Sequence, residues 1–242
     1  RRCILCKPGK GDQFSTFDFA DREFVFLPAI DEAEWIAGAV ASATADGVAV
    51  VVVDGGSRDA TAERAAAAGA RVIRSEPGRA RQIRAGVEAG SGDILLILHA
   101  DTRLAPGYAD AIHRALEDPE VVGGAFQFRF DERSRALRFV EWGARLRSRL
   151  FGLPYGDQAL FVRRSALRRA GGVPQAEIME DLDLVVALRR TGRLALLELP
   201  ATTSARRYLD HGVWRTMGRH WLAAAAWGLG VPRERINAWV RP

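Results

Sequence analysis

Four aspartates fall where an apolar run ends or a polar turn begins. Asp54 follows the run from Val48 to Val53, Asp101 follows Ile94-Leu95-Leu96-Ile97-Leu98, Asp157 precedes the run from Ala159 to Val162, and Asp181 precedes Leu182. Runs of Val, Ile and Leu of this length read as strands buried on both faces, as in the middle of a parallel sheet. In open α/β sheets, ligands collect at the carboxyl ends of such strands. A carboxylate there can hold a divalent cation, and the cation can hold a diphosphate. His99-Ala100-Asp101-Thr102 has that placement, although Asp-Thr also ends strands and opens turns with no ligand involved. At Asp54-Gly55-Gly56-Ser57 the two glycines let backbone approach a ligand, and the following helix offers free N–H groups. The spacing is not G-x-G-x-x-G, which disfavours a dehydrogenase. Glu180-Asp181 has two readings: carboxylates for acid–base work, or helix N-terminal acids that satisfy the dipole.

The elements that must position these residues follow from periodicity and turn signals. Phe24 to Leu27 reads as a strand closed by Pro28, and Asp31-Glu32-Ala33-Glu34 as the acidic first turn of a helix through Val40. Val48 to Val53 is a second strand, with Ser57 the N-cap of an Ala-rich helix from Ala60 to Ala68. Arg71 to Arg74 is a short strand, Gly78 to Ala89 a helix carrying Arg79, Arg81 and Arg84, and Ile94 to Leu98 a fourth strand. Such a βαβ series makes a right-handed parallel sheet. After a helix from Gly107 to Glu117 the pattern changes. Gly124 to Phe130 alternates with period two and is expected as a half-exposed, antiparallel strand. A basic amphipathic helix from Asp131 to Leu150, a short strand Ala159 to Val162, a turn at Gly171-Gly172-Val173-Pro174, a helix from Glu180 to Arg190 and a strand Leu194 to Leu199 complete the series. The fold class is α/β, with a mixed, mostly parallel central sheet flanked by helices.

The chain has 242 residues, 48% hydrophobic and 27% charged, enough for a sizeable core. Its net charge is +5 and its pI about 9.8. The arginines are spread along the second half rather than run together, which favours phosphate ligands or a lipid surface over nucleic acid. Cys3 and Cys6 form a C-x-x-C, but the four histidines lack the paired spacing of a zinc site. With no signal peptide, no initiator Met and no apolar stretch of about 20 residues, a cytoplasmic protein is expected, peripheral to the inner membrane face in a second reading. The expected organisation is a leader or linker over 1–22, an α/β domain over 23–210 with a seam near Pro119, and an amphipathic helical region over 211–242.

Val52-Val53-Asp54-Gly55-Gly56-Ser57-Arg58-Asp59, His99-Ala100-Asp101 and Glu180-Asp181-Leu182-Asp183-Leu184 resemble the successive motifs of family 2 glycosyltransferases. Pro28-Ala29-Ile30-Asp31-Glu32 resembles that family's opening Pro-x-x-Asn-Glu, with Asp31 in place of Asn. The likeness runs from about Glu23 to about Tyr208. It is nearest to a small bacterial subgroup with His-Ala-Asp-Thr, Tyr-Gly-Asp-Gln and Thr-Ser-x-Arg-Arg, associated with radical-SAM enzymes and linked to arsenosugar biosynthesis. The resemblance implies a GT-A fold and inverting transfer from a UDP- or GDP-linked sugar to an acceptor hydroxyl. It implies nucleotide contacts around Pro28, Asp31, Glu32, Asp54, Gly55, Ser57 and Ala100, joined by Arg79 after the third strand. It implies Mg²⁺ or Mn²⁺ at Asp101 with His99, and Asp181 as general base beside Glu180.

The metal motif is His-x-Asp where other members of that family carry Asp-x-Asp, so His99 either ligates or packs. Arg206 and Arg207 either reach the diphosphate or form a solvated basic edge, and Tyr155, Gly156, Asp157 and Gln158 are expected on the acceptor side. Trp214, Trp221 and Trp227 lie near helical spacing among basic residues; they either cover the core or mark a membrane-surface helix. Two other functions fit part of the pattern. A sugar-phosphate nucleotidyltransferase would show a Gly-rich basic loop where Pro28 to Glu32 stands, and a non-catalytic nucleotide-sugar or membrane-surface binding protein would not need both Asp101 and Asp181.

Overall fold

A computed structural model describes residues 24–45, 47–176 and 178–240. The expected leader with Cys3 and Cys6 lies outside the described residues. The first half is the βαβ series anticipated from the apolar runs: β1 (Phe24–Ala29), α1 (Ile36–Ala43), β2 (Ala49–Asp54), α2 (Thr61–Ala67), β3 (Arg71–Arg74), α3 (Arg79–Ala89) and β4 (Ile94–Ile97). β1 pairs in parallel with both β2 and β4, and β2 with β3. These strands are apolar on successive residues because helices cover both faces. Val25, Leu27, Val52 and Leu96 pack towards Ile36 and Val40 of α1. Phe26, Val51, Val53, Leu95 and Ile97 pack on the other side towards Ile83 of α3.

The second half continues the same sheet. It comprises β5 (Thr102–Leu104), α4 (Tyr108–Leu116), β6 (Val121–Phe130), α5 (Arg135–Phe151), a 3-10 turn (Gly156–Gln158), β7 (Leu160–Arg163), α6 (Arg164–Arg169), α7 (Glu180–Arg189) and β8 (Arg193–Thr203). Three helices follow: α8 (Arg206–His211), α9 (Val213–Gly228) and α10 (Arg233–Val240). The strand order is β3-β2-β1-β4-β7-β6-β8-β5. β7 is antiparallel to both β4 and β6, and β5 is antiparallel to β8. No helix among the described residues is long and apolar enough to cross a membrane.

Several sequence expectations are corrected. The acids Asp31, Glu32 and Glu34 precede α1 rather than fill its first turn. Their segment is drawn instead onto the loop after β2, where the Glu32 N–H donates to Thr61 Oγ1 (2.8 Å) and the Ala33 N–H to Asp59 Oδ2 (3.0 Å). Ser57 does not cap α2; its hydroxyl donates to Asp54 Oδ1, and Asp59 accepts from the Thr61 N–H at the helix start. β6 is buried from Val121 to Phe126 and then alternates as expected, with Phe128 and Phe130 buried and Gln127 and Arg129 turned outward; β7 is antiparallel on one edge, but β8 on the other is parallel, where only antiparallel pairing was expected. Trp214 and Trp221 do not cover the core but are exposed, and Trp227 turns inward to donate to Asp183 Oδ1 (2.9 Å). β5 and α6, and the extension of β8 through Pro200, were not anticipated; Pro200 sits next to a register irregularity between β6 and β8, where a missing N–H is tolerated.

The β6 interior tolerates no side chain at Gly124. A Cβ there would lie 2.2 Å from the Ala195 carbonyl oxygen and 2.6 Å from the Phe161 ring. Gly143, inside α5, would place a Cβ in open space. Gly124→Val is therefore expected to destabilise the fold by about 3 kcal/mol or more, and Gly143→Ala to stabilise it by roughly 0.5–1 kcal/mol. Urea unfolding midpoints moving in these opposite directions would check both.

Candidate active site

The carboxyl ends of β1, β2 and β4 open onto one cleft, and four groups of side chains line it. The first is the loop at Asp54. Its carboxylate is buried and accepts from the Ser57 N–H (3.0 Å) and the Ser57 hydroxyl (2.5 Å). Asp31 closes the loop from the other side: its N–H donates to Ser57 Oγ (3.0 Å) and its Oδ1 accepts from the Arg58 N–H (2.8 Å). Gly55 makes room for protein rather than ligand, because a Cβ there would meet the Gln82 amide at 2.9 Å. That buried amide donates to the Ala29 and Val53 carbonyls at 2.8 and 2.9 Å, tying together β1, which contains Pro28, and β2.

The second group surrounds Asp101. Pairing of β5 with β8 sets Thr102 against Thr203, whose hydroxyls are 2.8 Å apart, and the Ser204 N–H donates to the Asp101 carbonyl at 3.0 Å. The chain after β8 is thereby delivered to the end of β4. Arg206 Nη2 reaches both Glu32 oxygens (2.6 and 2.5 Å) and stands 3.5 Å from Asp101 Oδ2. Its guanidinium also lies 5.6 Å from the centre of the Trp35 ring. Burial raises the Glu32 carboxyl above its ordinary range, and Arg206 opposes that rise.

The third group meets at Gly156. A Cβ on this residue would lie 2.2 Å from Arg79 Nη2, 3.1 Å from His99 Nε2 and 3.3 Å from Asp181 Oδ2. The Gly156 N–H donates to Asp181 Oδ2 (2.8 Å), and Asp181 Oδ1 accepts from the Leu182 N–H (2.9 Å). Glu180 is buried and ion-paired with Arg79 Nε at 3.0 Å. Burial works against the Arg79 charge, but Glu180, Asp181, Asp157 and Asp101 outweigh it and hold the guanidinium protonated. Arg79 Nη2 also contacts His99 Nε2. A guanidinium can only donate, so that imidazole nitrogen is the acceptor of a neutral ring. Burial, Arg79 and Arg207 push His99 well below its ordinary value, which agrees. His99 thus faces Arg79 through Nε2, while Ala100 beside it is buried.

The fourth group lies beyond Asp181. Arg147 of α5 sits over the Tyr155 ring, 3.3 Å from its centre, and donates to Gln158 Oε1 (3.0 Å) and the Leu153 carbonyl (3.0 Å). Gln158 is a buried bracket rather than a lining residue: its oxygen also accepts from Ser148 and the Tyr155 N–H, and its nitrogen donates to the Phe126 carbonyl. The Tyr208 hydroxyl is 3.1 Å from His220 Nδ1. Burial, with Arg207 and Arg147, lowers His220 to about 4, so the ring is neutral near pH 7. Asp157 Oδ1 is buried with no hydrogen-bond partner among the described residues. Burial raises that carboxyl to about 6, with Asp181 adding to the rise and Arg147 opposing it.

The structure therefore brings together Glu32, Asp101 and Arg206 on one side and Arg79, His99, Gly156, Glu180 and Asp181 on the other, with Tyr155, Asp157 and Arg207 beyond them. Asp54, Asp31 and Ser57 form a separate, internally bonded loop. Arg147, Trp35 and His220 were missed in the sequence; each sits in a helix or loop with no motif around it. No group of three or more His, Cys, Asp or Glu that could hold a metal ion occurs among the described residues. Asp101, partly exposed at the strand end, fits the other arrangement, in which a hard cation takes one or two carboxylate oxygens and completes its shell with substrate phosphates.

The family model for glycosyl transferase family 2 matches residues 24–170, more than half of the chain. No curated protein sequence matches. Among solved structures, a mycobacterial protein superposes with a TM-score of 0.66 at 22% identity, covering 91% of this chain and 81% of that one. Glucosyl-3-phosphoglycerate synthase from Mycobacterium tuberculosis, in complex with Mn²⁺, uridine diphosphate and phosphoglyceric acid, superposes with a TM-score of 0.62 at 22% identity over 88% of this chain and 80% of that one. The same enzyme with Mg²⁺ and uridine diphosphate gives 0.62 at 21% identity over 94% and 86%. The GT-A architecture expected from the sequence is the one found.

The Asp157 carboxyl holds its proton more tightly in the folded chain than in the unfolded one. The folded state therefore binds more protons between the ordinary aspartate range and about pH 6, and this group's contribution to stability falls as pH rises through that window. Asp157→Asn removes the titration. The stability of the variant relative to the parent is expected to grow by on the order of 2 kcal/mol between about pH 4 and about pH 8, read from urea unfolding at both pH values.

Proposed function

The chain belongs to glycosyl transferase family 2, and from that premise we propose that it moves a sugar from a nucleoside diphosphate donor to an acceptor hydroxyl with inversion, Asp181 acting as general base. The observation that carries this reading is the meeting at Gly156, where one carboxylate of the pair Glu180-Asp181 is neutralised by Arg79 and the other is held by backbone N–H groups. Asp181 is thus fixed in place with no basic side chain among the described residues bonded to it. It takes the acceptor O–H proton while the acceptor oxygen bonds to the anomeric carbon. The bond from that carbon to the diphosphate breaks, and the leaving group keeps the electron pair. Asp54 and its loop take the nucleoside, and Arg206 takes charge on the diphosphate. Tyr155 and Asp157 face the acceptor.

Asp101 would hold a divalent cation, which when bound would supply positive charge to offset that of the leaving diphosphate. Solved relatives that hold uridine diphosphate with Mn²⁺ or Mg²⁺ support a uridine donor and such a cation. The ordered motifs His99 to Thr102, Tyr155 to Gln158 and Thr203 to Arg207 support placement in the subgroup linked to arsenosugars.

Thermal unfolding with UDP, GDP, CDP and dTDP, each with and without Mn²⁺, tests the reading. UDP with Mn²⁺ at about 100 times its dissociation constant should add roughly 2.7 kcal/mol, and Asp101→Ala should remove the part that needs metal. Asp181→Asn should keep that stabilisation and slow UDP release from the donor by about 10²–10⁴-fold. Stabilisation by none of the four nucleotides would sink the donor assignment. Full turnover in Asp181→Asn would sink the base.

Arg206→Ala should weaken UDP–Mn²⁺ binding by about tenfold, the worth of one charge-assisted contact. Unchanged affinity, measured by calorimetry, would confine Arg206 to holding Glu32.

A further inference from the structure

Helices α5 and α9 are each apolar on two opposite faces. The inner face of α5 is formed by Leu137, Val140 and Ala144, which are buried. On the opposite face, Phe139, Leu146 and Leu150 recur at about two and three turns, and Trp142 lies beside them. All four are exposed, Trp142 by 56% and Leu150 by 67%. In α9 the buried residues are Thr216, Ala223 and Ala226. Trp214 and Trp221, about two turns apart, point the other way and are 59% and 67% exposed. The two outer faces are continuous: the Phe139 ring lies 5.7 Å from that of Trp142 and 5.6 Å from that of Trp214. Core packing accounts for the inner faces and leaves the outer ridge without a role. A contiguous apolar ridge of this kind marks an interaction site.

The charge around the ridge is predominantly positive, although Glu198 of β8 stands 3.9 Å from Arg149. Arg135, Arg138, Arg145 and Arg149 flank it on α5, and Arg215 and Arg219 on α9. The sole acid in α5, Glu141, turns inward and accepts from the Phe130 N–H at 2.8 Å. α9 contains no Asp or Glu. Tryptophan and leucine along a helix face, with arginines beside them, are the composition of a helix that lies in the headgroup region of an anionic bilayer. A second copy of the chain fits poorly, because a two-fold contact would set these arginines against one another.

We propose that the outer faces of α5 and α9 dock this protein on an anionic lipid surface. The ridge enters the headgroup layer through Trp142, Trp214, Trp221 and the leucines, and the arginines meet lipid phosphates. α9 then has two roles, since His220, next to Trp221, stands against Tyr208 on the acceptor side of the cleft. Docking at this ridge does not depend on the donor or on the base.

The test is co-sedimentation of the full chain with vesicles of phosphatidylglycerol and phosphatidylcholine, compared with phosphatidylcholine alone. Partition onto the anionic vesicles should exceed that onto the neutral ones at least tenfold and fall as salt rises. A Trp214→Ser/Trp221→Ser variant should lose at least tenfold in partition, and Arg135→Glu/Arg138→Glu should abolish the preference for anionic lipid. Trp142→Ser is the second apolar variant should the double one fail to fold. Stabilisation by UDP and Mn²⁺ should be the same in every variant as in the parent, which separates loss of docking from loss of fold or of the donor site. Equal partition of parent and variants, or no partition onto anionic vesicles, would overturn the proposal. So would sedimentation velocity showing a dimer that Trp214→Ser/Trp221→Ser dissociates, since the ridge would then belong to a second copy.

Discussion

Glu32, Asp101, Asp157, Glu180 and Asp181 share one cleft because Arg79 and Arg206 stand among them. Carboxylates gathered at strand ends repel one another, and in a partly buried site that repulsion is weakly screened. Arg206 answers Glu32 and Asp101, and Arg79 answers Glu180 with Asp181, Asp157 and Asp101 nearby. Each arginine is fixed by the fold rather than by the acids alone. Arg79 opens α3 immediately after Gly78, whose positive φ turns the chain into the helix. Arg206 is brought in by the β5–β8 pairing at Thr102 and Thr203. An incoming diphosphate would add negative charge to a cleft in which Glu32, Asp101, Asp157, Glu180 and Asp181 already outnumber Arg79 and Arg206. That is the physical reason the proposed donor complex calls for a further cation at Asp101.

Much of this was legible in the sequence, and the remainder was hidden for identifiable reasons. β3, α3 and β4 fall within a residue or so of where apolar runs and turn residues put them; β4, covered on both faces, leaves an apolar run, and β3 and α3 are bounded by the turn residues Gly69, Pro77, Gly78 and Gly90. Asp101, Glu180, Asp181, Arg79 and Arg206 could be picked out because ends of elements are where sheets present side chains. Their pairing could not. Glu32 and Arg206 are 174 residues apart and meet through β5, a three-residue strand too short to leave a pattern. The acids before α1 satisfied the dipole rule on paper, but hydrogen bonds to Ser57, Arg58, Thr61 and Asp59 drew that segment elsewhere. Arg147 reads as one more arginine on a basic helix; that it turns inward onto Tyr155 and Gln158 depends on tertiary packing.

The acidic run after Met179 shows how neighbouring residues of one type divide their roles. Glu180 pairs with Arg79, Asp181 faces Gly156, and Asp183 turns to the C-terminal helices. Asp183 accepts from Arg233 at both oxygens (2.6 and 2.7 Å) and from the Trp227 indole. Arg233 also donates to the Ile178 carbonyl, and Ile178 and Met179 pack against Ala223, Ala226 and Ile236. The start of α7, where the left-handed Met179 turns the chain into the helix, is therefore clamped by α9 and α10.

This clamp makes the C-terminal region more than an appendage. A base must be held to within a fraction of an ångström of its working position, and residues on helices hold better than residues on loops. Asp181 sits at a helix start that follows a loop, the weaker of the two placements. Asp183, one side-chain pair further on, supplies the rigidity by binding Arg233 and Trp227. The helix that provides Trp227 is also the one that turns Trp214 and Trp221 to the outside. Its inner face steadies the proposed base and its outer face carries the proposed docking ridge, so any tilt of α9 is felt at Asp183 and, two residues away, at Asp181.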